Sequence, residues 1–267
     1  MNQQIQTIIK SLSDIPRVQF IGLGGSRGLG LESSESDYDV VIFREDGDVI
    51  DHELILNVLR PFINLERYKH YRGFIETEID GKYKLEIFQK RVQDVKNELV
   101  NMNKGAFRMI HPKLMPFGSI STIIISHIVY FKICEDKFGV YKKLIESALP
   151  MSPLLKKTLL SYFSSQLNII LIHANKIKSQ QDCQYFLALM SHAVYCINIL
   201  IFASNDRYPI LERGGSQYIV KHLKNIPKDY ESLITRGMQL GASGKYQESM
   251  QAITLLRRGI DYTNKSV

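Results

Sequence analysis

The sequence predicts an α+β fold, with a mixed β-sheet domain in residues 1–110 and an all-α helical bundle domain in residues 111–267. Three observations carry that expectation. Runs of residues suited to strands, 18–23, 37–43, 74–79 and 82–88, all lie before residue 90. The last two flank Asp80-Gly81, the strongest short signal for a β-hairpin. From Gln89 onward apolar residues recur at helical spacing and no convincing strand remains, so sheet and helices segregate along the chain.

Taken in order, Ile5, Ile8, Ile9 and Leu12 make one face of a short amphipathic helix that must end before Pro16. Residues 18–23, Val-Gln-Phe-Ile-Gly-Leu, read as a buried strand that runs into Gly24-Gly25-Ser26-Arg27-Gly28-Leu29-Gly30. That stretch is too rich in glycine for a helix interior and predicts a tight turn with exposed backbone. Asp37-Tyr38-Asp39-Val40-Val41-Ile42-Phe43 follows as a second strand, with two carboxylates at its start. Asp48 is placed to cap a helix running to about Arg60, and the hairpin over 74–88 adds two antiparallel strands. Helical periods then occupy Val92, Val95 and Leu99, and the segments 119–132, 153–178, 182–204, 230–240 and 246–262.

Composition narrows the class. With 45% hydrophobic and 23% charged residues the chain is neither disordered nor fibrous. Lys and Arg number 34 against 27 Asp and Glu, and the resulting +7 favours an anionic partner. Cys134, Cys183 and Cys196 are scattered, without CxxC spacing, so neither a disulfide framework nor a zinc site is indicated and a reducing cytoplasm is the expected compartment. The first residues lack the basic and apolar regions of a secretory signal. Two apolar stretches, 120–133 and 183–203, are interrupted by Ser126 and His127, and by Ser191, His192 and Asn198. Both read as buried core helices, and no membrane partner is expected.

The chemistry concentrates in the first domain. Residues i and i+2 of a strand share a face, so Asp37 and Asp39 can project together and share a Mg²⁺, which takes oxygen ligands and commonly keeps substrate phosphates in its shell. Exposed amides at Gly24 and Gly25, with the Ser26 hydroxyl, suit phosphate oxygens. No Gly-Lys-Ser/Thr follows the glycine turn, and Arg27 stands where a dinucleotide fingerprint needs glycine, so neither rival phosphate motif applies.

Leu23-Gly24-Gly25-Ser26, an interval over 27–36, and Asp37-Tyr38-Asp39-Val40-Val41 resemble the signature of the nucleotidyltransferase superfamily with the polymerase-beta-like fold. The resemblance covers roughly the first 90 residues. It extends in general form to small bacterial transferases with a C-terminal helical domain. It implies transfer of a nucleoside monophosphate, AMP from ATP being the expected case, to a hydroxyl of a small acceptor such as an antibiotic. Two Mg²⁺ ions would be held by Asp37, Asp39 and a third carboxylate on a later strand. Glu86, in Leu85-Glu86-Ile87-Phe88, is the best match for that third group, with Glu76 and Glu78 as fallbacks. Gly24, Gly25 and Ser26 would bind the triphosphate, and Arg27 would offset its charge. Asn205-Asp206-Arg207-Tyr208-Pro209 looks like an Asn-x-x-Tyr turn of a bacterial branch, which makes Asn205, Arg207 and Tyr208 candidate substrate-binding residues. Two other readings stand beside this one: a regulatory or antitoxin-like transferase acting on protein or RNA, and a non-catalytic nucleotide-binding protein of the same fold.

Overall fold

The structure, a computed structural model, describes residues 2–111, 116–211 and 213–264. The chain divides into two compact units, one of residues 1–100 and 124–149, the other of residues 101–123 and 150–267.

The first unit is built on a six-stranded mixed sheet. Its strands are β1 (Val18–Leu23), β2 (Tyr38–Arg44), β3 (Lys69–Tyr71), β4 (Phe74–Ile79), β5 (Tyr83–Arg91) and β8 (Lys132–Glu135), in the order β3-β4-β5-β2-β1-β8. β2 and β5 run parallel and every other pair is antiparallel. One face is covered by α1 (Gln3–Ser13) and α3 (His52–Leu59), where Ile5, Ile8, Ile9 and Leu12 meet Ile21, Val40, Ile42, Leu85 and Ile87 in the core. On the other face, Phe20 stacks on Phe43 at 4.3 Å, and Phe131 packs edge-on against both. The hairpin forms where Asp80-Gly81 places it, both residues taking positive φ (52° and 63°), and Lys82 follows as an extra residue before the ladder begins at Ile79↔Tyr83.

Several boundaries differ from the sequence reading. The helix expected from Asp48 begins at His52, because Asp51 accepts the Glu53 N–H at 3.1 Å and supplies the cap. Residues 25–29, read as turn, form the five-residue α2 (Gly25–Leu29), closed by Gly30 in the left-handed region. The glycines serve packing there: a Cβ on Gly28 would meet the carbonyl oxygens of Tyr130 and Leu23 at 2.7 and 2.8 Å. The single helix expected over 119–132 is instead β7 (Ser119–Ile120), α5 (Ile123–Val129) and the start of β8.

The expected domain boundary near residue 110 is corrected by the same segment. β8 pairs with β1 at the sheet edge, and α6 (Val140–Ala148) packs against β1, so residues 124–149 return to the first unit. The cause is an open edge: β1 has β2 on one side only, and its other row of backbone groups needs a partner.

The second unit is helical: α7 (Pro153–Ala174), α8 (Cys183–Ser204), α9 (Gly215–His222), α10 (Tyr230–Ala242) and α11 (Tyr246–Asn264). It also holds the short pair of β6 (Met109–Ile110) with β7, while α4 (Val92–Asn103) carries the chain across the unit boundary. Residues Gln180–Ser204 are long and apolar enough to cross a membrane by length and composition. In the unit α8 packs against α7, α10 and α11 and buries Phe186, Met190, Ala193, Cys196, Ile197 and Leu200, the environment of a core helix.

Candidate active site

β1 delivers the chain to Gly24, whose N–H donates to the Asp39 carbonyl at 2.8 Å and so fastens the glycine turn to β2. Gly25 follows at φ +53°, and a Cβ there would stand 1.9 Å from Asp39 Oδ2. Only glycine leaves room for the Asp39 carboxylate beside this backbone. Ser26 is the second residue of α2, and its hydroxyl makes no hydrogen bond among the described residues.

The sheet register then lines up acids across three strands. Asp39 on β2 is the pairing partner of Glu86 on β5, and Glu86 is in turn the partner of Glu76 on β4. The Asp80-Gly81 signal locates this hairpin but not its register: a two-residue turn alone would set Glu76 opposite Leu85, and Lys82, an extra residue between the paired Ile79 and Tyr83, moves Glu76 opposite Glu86. Like charges directly opposite each other are destabilising, and a cation answers them here. Lys84 Nζ donates to Glu86 Oε1 and lies 3.6 Å from Glu76 Oε2, while Lys69 approaches Glu76 from the edge strand, also at 3.6 Å. The Lys84 pKa is raised, chiefly by its hydrogen bond to Glu86, then by the charges of Glu86, Glu76 and Asp37, with burial opposing.

Asp37 is exposed and sits one residue before β2. Arg27, expected at the mouth of the phosphate turn, is placed otherwise. Its Nε donates to the Asp37 carbonyl at 2.9 Å, a second nitrogen donates to the Ser36 carbonyl, and the guanidinium lies 3.8 Å above the Tyr38 ring. Arg27 thus anchors the segment that presents Asp37.

The helical-unit candidates are built into scaffold. Asn205 donates to the carbonyls of Ile201 (2.9 Å) and Asn225 (2.8 Å) and accepts from the Asn225 N–H at 3.0 Å. Its amide clamps the end of α8 to a neighbouring loop. Tyr208 is 2% exposed, and burial pushes its phenol up to about 12. The polar pattern Asn-x-x-Tyr marked a folded turn, and only Arg207 of the three is exposed.

As to metal chemistry, Asp39 and Glu86 supply oxygen donors on adjacent strands with Asp37 two residues before, a set suited to a hard divalent cation. Among the described residues no three acids, histidines or cysteines are gathered closely enough to hold an ion, and Lys84 engages Glu86.

No protein-family model matches the sequence, and no curated protein does. Among solved structures the chain is similar to a nucleotidyltransferase-like protein from Exiguobacterium sibiricum 255-15, at 12% identity and TM-score 0.41, over 99% of this chain and 74% of that one. It is also similar to CdnC of E. coli MS115-1 in complex with HORMA-deltaN (15%, TM-score 0.29), over 63% of this chain and 64% of that one. A third is a CCA-adding enzyme in complex with CTP (14%, TM-score 0.30), over 90% of this chain and 57% of that one. The chain thus spans less than two thirds of the latter two.

Proposed function

We propose that this protein is a Mg²⁺-dependent nucleotidyltransferase that transfers a nucleoside monophosphate, AMP from ATP, to an acceptor hydroxyl of a small molecule. The observation that carries the reading is the Asp39 carboxylate lodged against Gly25, one strand from Glu86. This arrangement sets a backbone able to approach phosphate directly beside acids able to hold a cation.

Asp37, Asp39 and Glu86 would hold the metal ions. Bound there, such ions lower the pKa of an attacking hydroxyl and stabilise charge on leaving pyrophosphate. The Gly25 amide and the free Ser26 hydroxyl bind the triphosphate tail, and Gly24, whose own N–H is spent on the Asp39 carbonyl, holds the turn against β2. Arg27 keeps the Ser36–Asp37 backbone in place so that Asp37 is presented beside Asp39. Glu86, once released by Lys84, is positioned to take the acceptor proton.

The Lys84–Glu86 contact favours a second reading, a nucleotide-binding protein without transfer activity, since it occupies the third carboxylate with an internal cation. One experiment separates the two. The purified protein is incubated with each α-labelled nucleoside triphosphate, Mg²⁺ and panels of aminoglycosides, nucleosides, RNA and protein acceptors. Labelled product together with pyrophosphate is expected. Tight nucleotide binding without pyrophosphate release in every panel supports the second reading and ends the first.

A further inference from the structure

At the opposite end of β2 and β5 a cavity of about 480 Å³ is lined by Arg44, Gly47, Asp48, Val49, Arg72 and Arg91. We propose that it binds a small soluble molecule carrying a pyrophosphate group, at a site separate from the carboxylate row. Arg44 lies five residues beyond Asp39, ~17 Å along the strand. It shares the sheet face of Val40 and Ile42, opposite to that of Asp39.

Arg44 is 6% exposed, yet only its Nη1 finds acceptors, the carbonyls of Glu45 at 3.0 Å and Gly47 at 2.7 Å. Its Nε is buried without a hydrogen-bond partner. A buried guanidinium bonded only to neutral carbonyls retains its full charge, which is costly unless an anion joins it. The neighbours add to that charge. Arg91 is the pairing partner of Arg44 across the parallel strands. Arg17 donates through Nη2 to the carbonyls of Asp46 and Asp48, not to their carboxylates. Burial first, then Arg17 and Arg91, lower the Arg44 pKa, against weaker opposition from Asp94 and Asp48. Of those acids, Asp94 is held by Arg91 in a two-point pair at 3.0 and 2.6 Å. Asp48 is 94% exposed and 3.8 Å from Arg72. The cavity wall therefore carries three arginines, one of them already paired with Asp94, against one loosely held aspartate.

Arg44 and Arg91 stand one strand spacing apart, ~4.8 Å between backbones, which suits two linked phosphoryl groups, one beside each guanidinium, with Asp94 holding only the Nε and Nη2 side of Arg91. A volume of this size lies in the range of small-molecule pockets, whereas a nucleic-acid strand needs an extended groove.

The test is calorimetric titration of the full chain with inorganic pyrophosphate in EDTA. Parent protein, Arg72→Gln, the double variant Arg91→Gln/Asp94→Asn and Gly25→Val are compared. The double variant removes the ion pair without leaving a lone carboxylate, and Arg72→Gln alters an exposed side chain that folding does not need. The parent is expected to bind one pyrophosphate. Both arginine variants should weaken it by about tenfold or more, while Gly25→Val leaves it intact. Arg72→Gln is also expected to leave nucleotide transfer at the parent rate. Parent-like affinity in Arg72→Gln, or loss of binding in Gly25→Val alone, overturns the proposal. So does displacement of pyrophosphate by a single-stranded oligoribonucleotide at lower concentration than by a nucleoside diphosphate.

Discussion

Asp39 is the residue on which the proposed chemistry turns, and two substitutions probe it from opposite sides. Asp39→Asn keeps the shape and the contact with Gly25 but removes the charge. Transfer should fall by at least ~100-fold, the scale for losing one key electrostatic group at a reacting centre, with unchanged circular dichroism. Gly25→Ala acts through space. Its methyl would displace the Asp39 carboxylate and hold alanine at φ +53°, a left-handed backbone costing ~1–2 kcal/mol. Urea unfolding should show that loss together with a larger loss of nucleotide affinity. The third residue is Lys84. Its contact with Glu86 competes with any cation there, so Lys84→Met should tighten Mn²⁺ binding several-fold, about 1 kcal/mol, measured by calorimetry without nucleotide. Unchanged or weaker Mn²⁺ binding would assign Lys84 to the structural pairing of the strands alone.

Single elements explain which candidates changed role. The hairpin was legible because Asp80-Gly81 favours positive φ at both positions, but its register was not: Lys82 stands as an extra residue between the paired Ile79 and Tyr83 and shifts every pairing down to Phe74↔Phe88 by one. Asn205 and Tyr208 were legible as a turn but not as scaffold. A polar side chain at a helix end serves a ligand or the backbone equally well until the neighbouring loop is in place. The clamp to Asn225 makes a prediction: Asn205→Ala should cost ~1–3 kcal/mol in chemical denaturation by orphaning backbone groups, while the Michaelis constant for nucleotide stays at the parent value. A raised Michaelis constant with unaltered stability would return Asn205 to the substrate. The short edge strand β3 and the helix α9 left no trace in the periodicity, since three exposed residues and eight residues respectively are too few for a repeating pattern.

For the whole molecule, the buried titratable groups set a window of stability. Burial raises Tyr208 and Tyr68 from 10.0 to about 12 and Cys196 from 9.0 to about 12, and it also raises Tyr195 and Tyr230. Each holds its proton more tightly folded than unfolded, so its contribution is complete below its unfolded value and is lost as pH rises toward 12. His192 behaves in the opposite sense. Burial lowers it from 6.5, so it favours the fold above that pH and weakens it on acidification. Thermal melts between pH 5 and 11 should therefore plateau near neutrality and decline above about pH 9, where the Cys196 thiol begins to ionise in the unfolded chain. A melting temperature flat to pH 11 would contradict the burial of these tyrosines.

The sequence by itself determined the α+β class, the strands that flank the glycine turn, the hairpin and the helical character of most of the chain after residue 150, because these rest on local periodicity and on turn geometry that few residues can adopt. It also singled out Asp37, Asp39 and Glu86, whose residue types and order are written in the chain. Only the tertiary structure decided that Glu86 stands beside Asp39, since a parallel pairing of β2 with β5 has no connecting turn to set its register. It alone placed Lys84 between Glu86 and Glu76, turned Arg27 onto the backbone of Ser36 and Asp37, and brought 124–149 back to complete the sheet edge. Those outcomes depend on contacts between residues far apart in the chain, where spacing carries no information and unpaired backbone or unbalanced charge selects the partner.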